Sequence, residues 1–372
     1  MKTFAVITGG GTAGHVVPAL AIAEELEERG HHPDTLLYIG ASRGIETRLL
    51  PKSPYPHAFL DVIGVQRRVT RSNAAFVPKL VRAAAAARRL LREHRPRVVV
   101  SVGGYASLPA VLAARRLQVP IVAVSFDRRP GRASSLAARF AAASAVAFEG
   151  THLPRAVVTG APVRRVIREV DRRAGRQPAR AALGLPSDRF VVAVTGGSQG
   201  SGALNEAILA FIAERVGDTG LATYHVAGER FASDIAARLG TATGAVHRVV
   251  GYEPRIDLVY AAADLLIGRG GASTVAEVAA TGTPAILVPW AGAAEDHQTA
   301  NVRWLSDQGA AVHLPEHQLR RLGVIIDELR GQPDQLTGLA RNATAAGTLH
   351  RRGAIGDLVE RVALPEPAKA DQ

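Results

Sequence analysis

Two glycine-rich segments follow apolar, strand-like runs and have the composition of phosphate-binding loops. Residues 9–15 (GGGTAGH) follow the run 4–8, and residues 196–201 (GGSQGS) follow the run 190–195. Glycine lets the backbone approach a ligand closely, and the helix expected after each loop offers free N–H groups to an anion. The second loop lacks the GK[ST] ending of a nucleoside triphosphatase. Together the loops predict the binding of a diphosphate, without triphosphate hydrolysis.

The first loop also has the glycine spacing of a dinucleotide-binding fingerprint, at Gly9, Gly11 and Gly14. A nicotinamide or flavin cofactor would need an acidic residue at the end of the second strand to hold its ribose. Residues 40–42 (GAS) stand there instead. We therefore predict no cofactor.

His15 stands at the start of the helix that follows the first loop. An imidazole beside a bound diphosphate can take a proton from an attacking hydroxyl group or polarise a leaving group. The alternative is that His15 only caps or packs the loop.

A third loop, residues 268–274, opens another helix, and Glu277 lies in its first turns. A carboxylate there could accept hydrogen bonds from both hydroxyl groups of a ribose. The alternative is a surface acid that complements the helix dipole.

Residues 289–301 form a loop that enters a helix and clusters amide and carboxylate groups suited to sugar hydroxyls. Its acidic residues and histidine, Glu295, Asp296 and His297, are adjacent in sequence rather than spaced four apart on one helix face. We therefore predict no metal site.

Both halves of the chain alternate short apolar runs with helix-period segments. This alternation predicts an α/β fold of parallel sheets covered by helices on both faces. A polar stretch, residues 165–188, interrupts it, and we interpret that stretch as a connection between two doubly wound, Rossmann-like domains facing a cleft, with ligands at the carboxyl ends of the strands. Predicted strands cover residues 4–8, 35–39, 98–102, 121–124, 145–148, 156–158, 190–195, 223–226, 246–250, 265–267 and 285–288, and predicted helices cover 18–29, 77–92, 108–115, 204–215 and 273–280.

The composition limits the class of protein. The 372 residues include 47% hydrophobic residues and no cysteine, which suits two globular domains without disulfides or thiol chemistry and is compatible with a reducing cytoplasm. No secretory signal precedes the first strand, and no run of about 18 apolar residues occurs, so we expect no membrane span.

The formal net charge of +12 comes entirely from the first half of the chain. Residues 1–165 contain 24 lysines and arginines against 10 acidic residues, and the remainder contains 21 against 23. Such a basic half indicates nucleic acid, anionic lipid or a phosphorylated ligand as partner, and an arginine-rich solvated face is the alternative. Residues 63–82 interleave apolar with basic side chains, which predicts peripheral binding to an anionic membrane surface. Nucleic acid is disfavoured because stacking aromatic residues and a reading motif are absent.

Six motifs occur in a fixed order along the chain: residues 9–19 (GGGTAGHVVPA), 103–110 (GGYASLPA), 160–164 (GAPVR), 196–200 (GGSQG), 271–277 (GASTVAE) and 296–301 (DHQTAN). Together they resemble the MurG-like family of glycosyltransferases over essentially the whole chain. The resemblance implies a GT-B type of fold and an inverting, metal-independent hexosyltransferase. It also implies transfer of N-acetylglucosamine from UDP-N-acetylglucosamine to a lipid-diphosphate-linked muramyl-pentapeptide, a step of peptidoglycan precursor synthesis at the cytoplasmic face of the cell membrane.

The resemblance further assigns roles to parts of the chain. Residues 1–163 would form the acceptor-binding, membrane-facing domain, with 345–364 packing back on it, 164–344 would bind the UDP-sugar, and 365–372 would be a loose tail. His15 and Tyr105 would be catalytic, and the segment 252–256 would lie near uracil. The donor-binding residues would be Thr12, Gly14, Arg164, Ser198, Gln199, Gly200, Ile256, Ser273, Thr274, Glu277, His297 and Gln298.

One segment departs from the pattern of this family. Members carry His-Glu-Gln-Asn before a Pro-Gly-x-x-Asn motif, whereas alignment on Pro130 puts Val124-Ser125-Phe126-Asp127 there. Ser125 and Asp127 are then the acceptor-side candidates. The departure keeps three alternatives open: a UDP-sugar transferase acting on a natural product or another lipid, a weakly active UDP-sugar-binding paralogue, and a nucleotide-sugar epimerase of similar fold.

Overall fold

The computed structural model describes residues 2–62, 76–197, 199–240, 246–293 and 296–364. By its internal contacts the chain divides into two compact units, one formed by Met1–Arg165 with Arg352–Gln372 and the other by Val166–Arg351. Each unit is built on its own parallel β-sheet, which confirms the predicted class of two doubly wound α/β domains. Among the described residues, no helix is both long enough and apolar enough to cross a membrane.

The sheet of the first unit has the strand order β3-β2-β1-β4-β5-β6-β7, with every neighbouring pair parallel. Its order reverses between β1 and β4, and in such sheets the carboxyl ends of the strands at the reversal form the ligand-binding crevice. All residues of β1 are buried because helices cover both faces of the sheet. The strands are β1 (Ala5–Thr8), β2 (Leu36–Ala41), β3 (His57–Leu60), β4 (Val98–Ser101), β5 (Ile121–Ser125), β6 (Ala143–Val146) and β7 (Ala156–Val158).

The helices of this unit connect the parallel strands, as parallel pairing requires. They are α1 (Ala13–Glu28), α2 (Glu46–Leu49), α3 (Phe76–His94), α4 (Leu108–Leu117) and α5 (Arg132–Phe140). The predicted start of the first helix at residue 18 is wrong, because α1 begins at Ala13 and contains both His15 and Pro18. Proline lacks an N–H, so Pro18 cannot donate to the Gly14 carbonyl, yet α1 continues past it to Glu28.

The sheet of the second unit has the strand order β10-β9-β8-β11-β12-β13, again parallel throughout. Its core is the apolar layer between the sheet and its helices, where Val192, Val194 and Ile267 of the central strands are buried. The strands are β8 (Phe190–Thr195), β9 (Leu221–Val226), β10 (Val246–Val250), β11 (Leu265–Arg269), β12 (Ala285–Val288) and β13 (Val312–His313), and the helices are α6 (Arg165–Arg168), α7 (Arg172–Leu183), α8 (Gly202–Ala213), α9 (Ala232–Leu239), α10 (Ile256–Ala262), α11 (Ala272–Thr281), α12 (His297–Ser306), α13 (Leu322–Arg330), α14 (Pro333–Ala346) and α15 (Thr348–Arg351).

The polar connection predicted at residues 165–188 is wrong, because this stretch contains α6 and α7. Asp171 caps α7 by accepting hydrogen bonds from the N–H groups of Arg173 and Ala174. Arg180 is fully buried, where it donates to the carbonyl groups of Ala262, Ser187 and Arg189 and pairs with Asp264 at 2.6 Å. The contacts of Arg180 therefore pack α7 against other elements of the second unit.

The last helix, α16 (Ala354–Ala363), belongs to the first unit and packs against α1 and the strands β4, β5 and β6. Glu25 of α1 accepts a hydrogen bond from the N–H of Gly356 at 2.5 Å, and Arg29 pairs with Asp357 and Glu360. These polar contacts fix the C-terminal segment beside the first helix.

Candidate functional site

His15 lies at the carboxyl edge of the first sheet, in the first turn of α1. Its Nδ1 is 3.0 Å from Thr12 Oγ1, and its ring packs at a tilt against Phe126, which follows β5. Burial lowers the pKa of His15, and the charge of Asp127 acts in the opposite direction. The imidazole is therefore neutral near pH 7. In the tautomer that donates from Nδ1 to Thr12, Nε2 is free to accept a proton.

Tyr105 follows β4 and packs against the first glycine loop. A Cβ on Gly11 would lie 2.7 Å from Tyr105 Cε1, and Gly11 has a φ of +92°, so this position requires glycine. Burial raises the pKa of Tyr105, and the nearby Glu46 raises it further. The phenol group is therefore protonated near pH 7 and can donate a hydrogen bond at this edge.

Glu46 is a residue that sequence reasoning missed. It begins α2 and is fully buried, and its Oε1 accepts hydrogen bonds from the N–H groups of Gly11 at 3.0 Å and Ala41 at 3.1 Å. The N–H of Gly11 is thus already bound to a carboxylate, so any anion at this loop would meet the N-terminus of α1 around Gly14 instead. No motif marks Glu46, because its partner Gly11 is 35 residues away along the chain.

Ser125 is the last residue of β5 and Asp127 follows it, at the same edge as His15. The hydroxyl group of Ser125 is buried and donates to the Asp127 carbonyl oxygen at 3.4 Å. Asp127 is close enough to His15 for its charge to act on the imidazole. The structure therefore brings both acceptor-side candidates to the edge that carries His15.

The division into units places Arg164 with the candidates Thr12 and Gly14 rather than with the donor-binding candidates that follow it in the chain. Arg164 belongs to the first unit, and its Nε is buried without a hydrogen-bond partner among the described residues. Each of the remaining candidates after residue 164 belongs to the second unit.

The second glycine loop joins β8 to α8 at the carboxyl edge of the second sheet; Ser198 lies outside the described residues. Gly200 has a φ of +69°, and a Cβ there would lie 2.1 Å from the Ala227 carbonyl oxygen, so only glycine fits. Gln199 beside it is exposed, and Ser201 caps α8 by accepting a hydrogen bond from the N–H of Leu204. The loop thus presents a fixed backbone turn before a helix N-terminus.

The start of α11 lies at the same edge and carries three candidates. Ser273 and Thr274 are half-buried in its first turn, where helix N–H groups have no partner within the helix. Glu277 follows one turn later and accepts a hydrogen bond from the hydroxyl group of Tyr260 at 2.8 Å. Tyr260 belongs to α10, whose first residue is Ile256. The contact joins the two helices that carry Ile256 and Glu277.

Asp296, His297 and Gln298 stand at the start of α12, and Glu295 lies outside the described residues. Asp296 has a φ of +53° and precedes the helix, whereas His297 and Gln298 are half-buried in its first turn. Gln298 Oε1 accepts a hydrogen bond from the N–H of Trp290 at 2.9 Å, so its amide NH2 is the donor left for a ligand. Within the described ranges, no cluster of histidine and acidic residues could hold a metal ion.

Comparisons with known proteins show the family of the chain. The family model of the glycosyltransferase family 28 N-terminal domain matches residues 5–146, and that of the family 28 C-terminal domain matches residues 191–354. The chain belongs to glycosyltransferase family 28, and its two parallel-sheet units are those of a GT-B type of fold.

Three relatives that match this chain over most of its length share one name. The UDP-N-acetylglucosamine–N-acetylmuramyl-(pentapeptide) pyrophosphoryl-undecaprenol N-acetylglucosamine transferase of Clavibacter sepedonicus is 37% identical, with 99% of this chain and 98% of that protein covered. The crystal structure of Acinetobacter baumannii MurG has a TM-score of 0.72 at 25% identity and covers 97% of this chain and 99% of its own. The glycosyltransferase of kitacinnamycin, at 18% identity, a TM-score of 0.68 and coverage of 98% and 100%, shares the fold alone.

Proposed function

We propose that this protein transfers N-acetylglucosamine from UDP-N-acetylglucosamine to a lipid-diphosphate-linked muramyl-peptide, the reaction for which its relatives are named. The observation that carries the proposal is the 37% identity over 99% of the chain to such a transferase. The site supports it independently, because one sheet edge carries loops suited to a nucleotide diphosphate and the other carries a neutral imidazole.

The second unit would bind the donor. The diphosphate would lie at the second glycine loop and the N-terminus of α11, where backbone N–H groups and the helix dipole favour an anion. Glu277, fixed by Tyr260, would accept hydrogen bonds from the ribose hydroxyl groups. The segment 252–256 would lie near uracil, and His297 with the amide group of Gln298 would bind the sugar.

The first unit would bind the acceptor and supply the base. His15 Nε2 would take the proton of the acceptor hydroxyl group while its oxygen attacks C1 of the sugar and the bond from C1 to the UDP oxygen breaks. This single displacement inverts the configuration at C1 and needs no covalent intermediate. Thr12 would hold the imidazole through its hydroxyl group, and the protonated phenol of Tyr105 would donate to developing negative charge.

The proposal places the protein at the cytoplasmic face of the cell membrane as a peripheral protein. Residues 63–75 lie outside the described residues, but α3 continues the segment, with Val81 and Arg82 exposed and Lys79 half-buried. An exposed apolar residue between basic ones suits the boundary of an anionic bilayer. The net positive charge of residues 1–165 supports the same orientation.

A transferase acting on another acceptor is the second candidate, and the observation that favours it is the segment 124–127. Ser125 and Asp127 lie at the edge of His15 where family members have His-Glu-Gln-Asn. The acceptor site would then offer the hydroxyl group of Ser125 and the carboxylate of Asp127 in place of the imidazole, carboxylate and amide groups of that motif.

Incubation of the full chain with labelled UDP-N-acetylglucosamine and a bacterial membrane lipid extract tests the proposal. Label in a lipid product that releases a disaccharide on mild acid treatment is the expected result. Label in a lipid without muramic acid, or in a soluble product after a natural-product panel is added, would favour the second candidate. Conversion of the donor into its 2-epimer would contradict both.

A further inference from the structure

A buried ion pair joins the loops at the carboxyl edge of the second sheet. Arg269 is the last residue of β11 and is buried, and its Nη2 is 3.1 Å from Glu316 Oε1. Glu316 begins the 3₁₀ turn Glu316–Arg321, 47 residues later, and is itself half-buried. Neither Arg269 nor Glu316 belongs to the six motifs that carry the family resemblance.

Each partner of this pair also binds a different loop. Arg269 Nη2 donates to Ser201 Oγ at 2.5 Å, at the end of the second glycine loop, and its Nη1 donates to the Val288 carbonyl oxygen. Glu316 Oε2 accepts a hydrogen bond from the N–H of Ala291 at 2.7 Å. One carboxylate and one guanidinium group thus connect the glycine loop, the end of β11 and the loop after β12.

The loop after β12 is the one that reaches Gln298. Ala291 is adjacent to Trp290, whose N–H is bound by Gln298 Oε1. Without Glu316, the N–H of Ala291 would lose its hydrogen bond, and the neighbouring N–H of Trp290, which orients Gln298, would be held less firmly. The glycine loop is secured differently, because Ser201 also caps α8 and Gly200 packs on Ala227.

We propose that Glu316 is a positioning residue for the donor sugar: it holds the loop after β12, and through it Gln298, in place relative to the glycine loop. The inference rests on the proposed function, because that function assigns the donor sugar to Gln298. The hydrogen bonds of Ala291 and Arg269 to the Glu316 carboxylate hold the pKa of this residue below its usual value although burial acts to raise it. The carboxylate is therefore charged at neutral pH and pairs with a buried cation.

The test compares two ligands on the full chain. Glu316→Ala removes both the ion pair and the acceptor of the Ala291 N–H, and Glu316→Gln keeps an acceptor for that N–H without the charge. Calorimetry measures the Kd of UDP and of UDP-N-acetylglucosamine for each variant. A charged hydrogen bond corresponds to about tenfold or more in affinity. We expect Glu316→Ala to weaken UDP-N-acetylglucosamine about tenfold or more and UDP by about threefold or less, with Glu316→Gln between wild type and Glu316→Ala.

Glu328→Ala is the matched control, because Glu328 is an exposed acid on α13 of the same unit and should change neither Kd. A residue with only a structural role would weaken both ligands alike or lower the Tm alone, and either result overturns the inference. UDP binding retained by Glu316→Gln shows that the variant is folded, so Glu316→Gln decides the matter if Glu316→Ala does not fold. A wild-type chain that binds neither ligand overturns the proposed function itself.

Discussion

Glu277 Oε2 accepts a hydrogen bond from the Tyr260 hydroxyl group at 2.8 Å, and this contact connects α10 with α11. This hydrogen bond orients the carboxylate on its helix. A carboxylate held in this way can accept hydrogen bonds from a ribose without a further loss of side-chain freedom.

Glu277→Ala is expected to weaken UDP binding by about 1–3 kcal/mol, because hydrogen bonds to a charged group are lost. Tyr260→Phe should have a smaller effect in the same direction, since it removes only the contact that orients Glu277. Calorimetric titration with UDP measures both. Asp334→Ala, an exposed acid on α14, serves as the control. Unchanged affinity in Glu277→Ala would remove this residue from the donor site.

His15→Ala is expected to lower turnover by about 10²–10⁴-fold with little change in donor affinity, because a general base acts on the transition state. Exposed His32 of the same unit gives the control, and His32→Ala should retain wild-type turnover. Steady-state rates with saturating donor make the comparison. A variant that keeps wild-type turnover would leave His15 with a structural role only.

The pH profile of turnover tests the same imidazole. Burial lowers the pKa of His15, so the base stays neutral, and turnover stays high, down to a pH below the ordinary histidine value of about 6.5. Turnover should fall only when the pH drops through that lowered pKa. An acid limb that begins above pH 7 and persists in His15→Gln would assign the titration to another group.

Two buried histidines should make stability depend on pH. Burial lowers the pKa of His225 and of His350 to about 4, whereas an unfolded histidine titrates near 6.5. The folded state then binds fewer protons, so stability is full above about pH 6.5 and falls toward pH 4 by up to about 1.4 kcal/mol per pH unit for each residue. Denaturant unfolding at pH 7, 6 and 5 gives the free energy of unfolding at each pH. Its decrease with falling pH should be smaller for His225→Gln than for wild type. The control is His32→Gln, which should behave like wild type. An equal change of the unfolding free energy with pH in His225→Gln and wild type would contradict a contribution from His225.

Membrane binding is expected to be peripheral and sensitive to salt. Each lysine or arginine near an anionic leaflet contributes about 1 kcal/mol, and salt screens that attraction. Replacement of Arg67, Arg68 and Arg71 by serine should reduce flotation with anionic vesicles. Replacement of Arg320, Arg321 and Arg341, which are exposed in the second unit, should not. Equal recovery on neutral and anionic vesicles would contradict the proposal.

Much of the fold could be predicted from short buried apolar runs. Strands at residues 156–158, 190–195, 246–250 and 285–288 have the predicted bounds. The strands β8 and β12 are buried apolar runs of a covered parallel sheet, whereas β7 and β10 are partly exposed strands at the sheet edges. The helix α7 could not be predicted in this way. Its Arg180 is buried against carbonyl groups and Asp264, which lies 84 residues away. Only the folded chain supplies those partners.

In the candidate site, too, residues with a local sequence signal could be predicted, and residues that depend on distant partners could not. Glycine loops, His15 and Glu277 could be found because loop, strand and helix signals are local in sequence. Glu46 and Glu316 could not be found, since each lies in a short element and binds a residue that is 35 or 47 positions away. Their carboxylates act on the loops through the fold rather than through a motif.

The structure of the reaction product tests the proposed transferase activity. The full chain, purified UDP-N-acetylglucosamine and a defined lipid-diphosphate-linked muramyl-pentapeptide are incubated together, and the lipid product is analysed by mass spectrometry and by NMR of its new glycosidic bond. We expect one added N-acetylhexosamine in the β configuration and one UDP released per product. Release of UDP with free sugar, an α linkage, or an unmodified acceptor would contradict that activity.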